Sequence, residues 1–377
     1  MASLRAQVIG SCNQLPVTNY QPQRYFGSML NPLDVVDVVL DLARIDSTSG
    51  REGEVIEFVD RLLASRGWTT MRIPVTSGRD DIFATTDPAP LVTLSTHLDT
   101  VPPYIPPSRT ADRLTGRGVC DAKGIAAAMI CAAERLRDAS APVALLFVVG
   151  EETSHDGAHA ANEAYRSGLV PATSVALING EPTESRLARG TKGAVRMTVR
   201  TSGVAAHSAY PHRGVSATMR LVRLMSDLDA IELPKDSVLG ETTINLGMLS
   251  GGIADNVVAP SAEARIMARL VGPVDDVVAA VTRWVGDRGT VDVGVSIPAV
   301  HLATIPGIET SVVAFATDIP ALARWGTPYL FGPGSIEVSH SDHEFVDIAE
   351  LRHAVATYET IVREAATRHG SGVRQLA

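Results

Sequence analysis

Three apolar runs, Leu91–Ser95, Val143–Val149 and Ser174–Ile178, each lead within a few residues into side chains that can hold a metal. The first leads to His97-Leu98-Asp99, the second to Glu151-Glu152 and the third to Gly180-Glu181-Pro182. Short apolar, β-branched runs bounded by turn residues read as buried strands. Val143–Val149 is apolar throughout, which predicts a central strand covered on both faces. Polar clusters repeated at the carboxyl ends of such strands constrain the chain strongly, because open α/β sheets bind ligands there. Two further stretches carry the same chemistry, G-R-G-V-C-D-A-K-G around Asp121 and S-H-S-D-H-E around His340.

Taken singly, most of these residues have a plain structural reading. His97 could be a satisfied loop histidine, and Asp121 a helix N-cap before Gly124–Asp138. Glu151-Glu152 resists that treatment, since adjacent carboxylates at a strand end repel and lose solvation unless cations are present. One can bind a metal while the other takes a proton from an activated water. Two imidazoles and several carboxylates in this order therefore predict a co-catalytic two-metal hydrolase, with zinc the expected metal and cobalt an alternative for the same donors.

The 377 residues are 45% hydrophobic and 20% charged, ordinary for a globular chain, and long enough for two domains. A formal charge of −9 without basic blocks argues against nucleic acid or an anionic membrane as partner. Cys12, Cys120 and Cys131 lack C-x-x-C spacing, which points to a reducing, cytoplasmic setting rather than a disulfide scaffold. No apolar run approaches the ~20 residues that span a bilayer.

Met1–Ser28 has no periodicity and is expected to be a poorly ordered extension. From Met29 to residue 188 helical and strand patterns alternate: helices Leu33–Ile45, Glu52–Gly67 and Gly124–Asp138, and strands Thr69–Val75 and Asp81–Thr86 beside the three apolar runs. Residues 189–298 change style. Strand Gly193–Thr201, helix Val215–Leu228, strands Thr242–Leu249 and Ala262–Leu270, helix Pro273–Val285 and strand Val291–Ile297 spell a β-α-β-β-α-β, ferredoxin-like unit. It contains none of the metal-ligand stretches. Residues 299–377 return to the first style, with helix Thr310–Ile319, strand Tyr329–Phe331 and a terminal helix from Ile348 to about Arg368. The expected architecture is one α/β catalytic domain interrupted by an inserted ferredoxin-like domain.

The motifs H-x-D-T-V-P, G-R-G-x-x-D-x-K-G, E-E, G-E-P-T, G-V-x-A-H-S and G-P-G-S followed by S-H-x-x-x-E resemble the zinc-dependent aminoacylase and exopeptidase family of acetylornithine deacetylase, succinyl-diaminopimelate desuccinylase and glutamate carboxypeptidase. The likeness runs from Met29 to the C-terminus. It implies a zinc-exopeptidase-like catalytic domain and an inserted lid and dimerisation domain. It implies one metal held by His97, Asp121 and Glu181, a second by Asp121, Glu152 and His340, Glu151 as general base, and Asp99 as the partner of His97. It also implies a cis Asp121-Ala122 peptide. His207 would reach the neighbouring subunit's site in a homodimer, and Asn256 with Arg269 would bind the substrate carboxylate. The substrate would be an N-acyl amino acid or short peptide. N-acetyl-ornithine-type deacetylation is the first expectation, with desuccinylation, or carboxypeptidase or dipeptidase action, as alternatives. His155, His159, His212, His301, His343, His353 and His369 match nothing in these motifs and read as surface or packing histidines. His343 stands where relatives often carry Asp or Asn.

Overall fold

The computed structural model describes residues 32–373; Met1–Ser28 and Cys12 lie outside them. A six-stranded sheet forms the larger body, in the order Thr69–Thr76, Arg79–Thr85, Val143–Val148, Val92–His97, Ala176–Asn179 and Thr327–Leu330. Its last four strands run parallel, as crossover connections through helices require. The strand Val143–Val148 is interior and wholly buried, as its uniform apolarity predicts.

Alternate residues of that strand feed two cores. Val143, Leu145 and Phe147 join the cluster covered by helices α1 (Val35–Ala43), α2 (Gly53–Ser65), α3 (Lys123–Asp138) and the long α7 (Ile348–Val373). Ala144, Leu146 and Val148 face helix α4 (Asp156–Ser167) and Trp325. The alanines of α3 bring its axis close to the sheet. Gly180 does the same at the strand end, where a Cβ would meet Ile125 Cγ2 at 2.4 Å. Just beyond the strand, the amide of Val149 donates to the buried carboxylate of Asp81 at 3.0 Å.

Residues 193–297 fold as a four-stranded antiparallel sheet ordered Thr243–Gly251, Ser261–Leu270, Gly193–Ser202, Thr290–Ile297. Helices α5 (Ala217–Met225) and α6 (Val274–Val285) close a separate core on one face of it. The connectivity is the ferredoxin-like order, so the α/β catalytic domain carries an inserted lid domain.

Two sequence expectations need correction. Thr310–Val313 is a strand and no helix follows it to Ile319; its β-branched residues pair in parallel with Leu187–Thr191. Helix α4 was not anticipated, although Gly157, Ala158, Ala161 and Ala164 on its buried side follow helical spacing. Other boundaries move by a few residues: α5, for instance, starts after Ser216, whose hydroxyl caps the amide of Met219.

Candidate active site

The ends of three parallel strands and two loops deliver the charged residues to one cavity of about 530 Å³. His97 closes its strand, buried, with Nε2 3.0 Å from Asp121 Oδ1 and 4.0 Å from Glu181 Oε1. The other oxygen of Asp121 faces His340, whose Nε2 is 3.6 Å from Oδ2 and 2.9 Å from Glu152 Oε1. Asp121 thus stands between two imidazoles, one oxygen toward each. The peptide Asp121-Ala122 is cis, as expected from the motif. His340 reaches the site from a left-handed backbone position, at φ 61°.

Asp99 does more than attend His97. Its carbonyl oxygen lies 3.0 Å from His97 Nδ1. Its carboxylate accepts the amides of Glu151 at 3.1 Å and Glu152 at 3.2 Å, and the Ser49 hydroxyl at 2.7 Å. One buried side chain therefore ties the strand bearing His97 to the turn bearing both glutamates.

Burial raises the proton affinity of Glu151 and Glu181 well above the ordinary carboxylate range. For Glu151 the charge of Glu181 adds to that effect; for Glu181 it is opposed by His97 and reinforced by Asp121. Negative charge on this scale in a largely buried cluster calls for a compensating cation. The donor set fits that need, since imidazoles and carboxylates are ligands for zinc and its neighbours. His97, Asp121 and Glu152 each offer one ligand atom, all within 4.8 Å of one another.

Arg117 and Glu344 hold the loops from behind. Glu344 accepts the amides of Cys120 and Asp121, at 3.0 and 3.1 Å, and pairs with Arg117 at 2.7 Å. Arg117 also donates to the carbonyl of Ser341, next to His340. Both side chains are buried, so this ion pair joins the loops of two candidate ligands out of water.

The lid supplies the opposite wall. Arg196, Met267, Arg269 and Val295 from its open sheet face line the cavity with the carboxylates. Asn256 is not beside it. Arg269 pairs with Thr243 at one end of the strand pair, whereas Asn256 follows Gly251, which pairs with Ala262 at the other. Seven residues separate Ala262 from Arg269, roughly 23 Å of strand. Asn256 instead accompanies His207: its carbonyl accepts the Ser208 amide at 2.9 Å, and His207 is exposed. The expected Asn256–Arg269 pair is thus absent within one chain.

His155 is the residue that sequence reasoning passed over. Rather than lying on the surface, it lines the cavity, with Nδ1 2.8 Å from the buried Asp318 and 3.9 Å from Glu151 Oε1. Phe315 and Ala316 beside Asp318 also line it. The misread segment 310–319 concealed all three, and Arg196 had no motif. The position of His155, four residues past Glu151 at a strand end, was the available signal.

Replacing Arg117 with Met should leave Glu344 buried without its cation. Breaking such a pair costs about 3–5 kcal/mol, so thermal melting should fall by several degrees, and metal should be lost faster on dialysis. Unchanged melting and retention would show that the pair is not what holds these loops.

Residues 93–364 match the family model for peptidase family M20/M25/M40. A protein of Aspergillus clavatus named "probable carboxypeptidase" is 36% identical over 381 residues, covering 90% of this chain and 84% of the relative. Among solved structures, aminopeptidase PepT of Bacillus cereus superposes with a TM-score of 0.73 at 20% identity, covering 90% of this chain and all of that one (100%). The YXEP protein of Bacillus subtilis, described as a dinuclear metal binding peptidase from the M20 family, gives 0.67 at 14% identity over 88% and 98% of the two chains. The chain is a metallohydrolase of peptidase family M20/M25/M40.

Proposed function

We propose that the chain is a two-metal carboxypeptidase or dipeptidase that releases a residue bearing a free carboxylate. The observation that carries this reading is Asp121 set between His97 and His340, with Glu151 beside them and Arg269 across the cavity. The 36% identical relative named a carboxypeptidase favours this alternative over acetylornithine-type deacetylation.

His97, Asp121 and Glu181 would hold one cation, and Asp121, Glu152 and His340 the other. Such a pair, zinc or cobalt, supplies Lewis-acid polarisation of the scissile carbonyl and an acidified water. With the cations bound, their charge would keep Glu151 ionised, so that it could accept a proton from that water and pass it to the leaving nitrogen. Asp99 fixes the backbone from which Glu151 and Glu152 project, so the base keeps its distance from the carbonyl. Arg269 receives the substrate carboxylate, and Phe315, Ile297 and Val295 offer apolar surface against which a substrate side chain can pack.

The lid also supports a homodimer. Met219 and Val222 on α5 and Met248 and Leu249 on the edge strand are 50%, 46%, 58% and 46% exposed. A second copy would cover them and bring its His207, with Asn256, toward the neighbouring cavity. Free, buried Cys120 and Cys131 suit a reducing, cytoplasmic setting. Among the described residues no helix is long and apolar enough to cross a membrane.

Glu151→Gln should keep the fold and two metal equivalents while losing turnover by ~100-fold or more. The test is a panel of dipeptides, N-acetyl and N-succinyl amino acids. Retention of more than about a tenth of wild-type kcat would remove Glu151 from the role of base.

Asp121→Ala should lower the occupancy of both metals together, whereas Glu181→Ala and His340→Ala each weaken mainly one. Elemental analysis of the purified variants distinguishes them. Loss of a single metal from the Asp121 variant would rule out a shared ligand.

Mixing inactive His207→Ala with inactive Glu151→Ala should restore roughly a quarter of wild-type activity per site if subunits exchange freely, since half the dimers are hybrids with one intact site. Demonstrated exchange without recovery would confine His207 to a structural role.

A further inference from the structure

His155 stands where a second recognition group for the released residue is needed. The backbone leaves it little freedom: its amide donates to the carbonyl of Gly150 at 2.8 Å, and it sits at the start of α4 with φ 54° and ψ 23°. Nδ1 is pinned 2.8 Å from a carboxylate of Asp318 that is almost fully buried. The two nitrogens of an imidazole point to opposite edges of the ring, so a fixed Nδ1 sends Nε2 away from Asp318. Among the described residues Nε2 has no hydrogen-bond partner, and the ring lines the cavity.

The charge pattern of the cavity says what Nε2 would meet. Asp121, Glu151, Glu152 and Glu181 make its floor acidic; apart from the candidate ligand His340, the basic groups that line it are His155 from the catalytic domain and Arg196 and Arg269 from the lid. Away from the metal ligands, that basic side is where an anionic group of a substrate would be received. Bond geometry narrows the place further. In an α-amino acid a single carbon joins the nitrogen to the carboxylate, through bonds of about 1.5 Å each. The group that grips the carboxylate must therefore stand close to the group that protonates the nitrogen. The His155 ring stands next to Glu151, its Nδ1 3.9 Å from Glu151 Oε1, and its free Nε2 lies one ring-width further along the same wall.

We propose that His155, oriented by Asp318, donates Nε2–H to the α-carboxylate of the residue being released, and so selects substrates whose leaving residue carries a free carboxylate. The inference rests on the peptidase reading above and names which end of the substrate the site recognises. Burial would lower the proton affinity of the ring, but the hydrogen bond and charge of Asp318 outweigh it and raise the affinity, favouring the form with two N–H donors. Arg196 and Arg269 approach the same carboxylate from the lid, so the anion is gripped from both domains at once.

The test compares the best peptide of the substrate panel with the same peptide amidated at its C-terminus, using metal-loaded wild type, His155→Asn and Asp318→Asn. Asparagine tolerates the left-handed backbone at position 155 but is too short to replace the ring. Wild type should prefer the free acid. His155→Asn should raise KM for the acid roughly tenfold or more, the usual worth of a hydrogen bond to a charged group, and leave the amide unchanged. Asp318→Asn should shift the same ratio in the same direction. Calorimetry with free amino acids and their amides gives a second readout without turnover, and His155→Asn should erase the preference for the acid. An unchanged acid-to-amide ratio, or equal losses on both, overturns the proposal. A wild type that hydrolyses no member of the panel would sink the peptidase reading instead, and the calorimetric comparison would still decide the role of His155.

Discussion

Negative charge crowded at the end of a parallel sheet is the condition to which the rest of this chain answers. Asp121, Glu151, Glu152 and Glu181 converge there, with His97 and His340 as nearest neighbours. Left alone, such a group would take up protons or spring apart. It is kept together by backbone amides given to Asp99 and Glu344, by Arg117 behind the loops, and by the sheet itself. Cations complete the balance, which makes metal binding and the integrity of this end of the fold parts of one equilibrium.

The division of labour between the two sheets follows from the same condition. The parallel sheet is covered on both faces and can hold strand ends rigidly, whereas the lid sheet has helices on one face only. Its open face carries Arg196, Met267 and Arg269 toward the acidic floor. Opposite charges thus face each other across a gap lined by apolar side chains, an arrangement suited to a substrate that neutralises both sides.

The convergence of His97, Asp121, Glu151, Glu152, Glu181 and His340 was legible as a set and not residue by residue. Apolar runs announce the strands before His97, Glu151 and Glu181, and it is the repetition at three strand ends that singles them out, since most of them taken alone have a plain structural reading. The lid order was equally readable, since its strands alternate and its helices are amphipathic. What stayed hidden was set by tertiary context. Thr310–Val313 stands at the start of an expected helix although its β-branched residues favour a strand, and its pairing with Leu187–Thr191 shows which preference prevails. Asp318 gains meaning only from that path, and His155 only from Asp318. Asn256 and Arg269 look like partners along the sequence, yet antiparallel pairing carries them to opposite ends of a ribbon.

The strand Val143–Val148 carries one more implication. Because both of its faces are apolar, sliding it by one residue would expose no hydrophobic side chain, so burial alone specifies its register weakly. A slip of that size would displace Glu151 and Glu152 by about 3.3 Å along the sheet axis and turn alternate side chains into the opposite core. The Asp81 carboxylate, buried and bound to the amide of Val149, acts as a polar stop at the end of the strand. A residue on an antiparallel neighbour thereby helps, together with Asp99, to set where the glutamates come to rest.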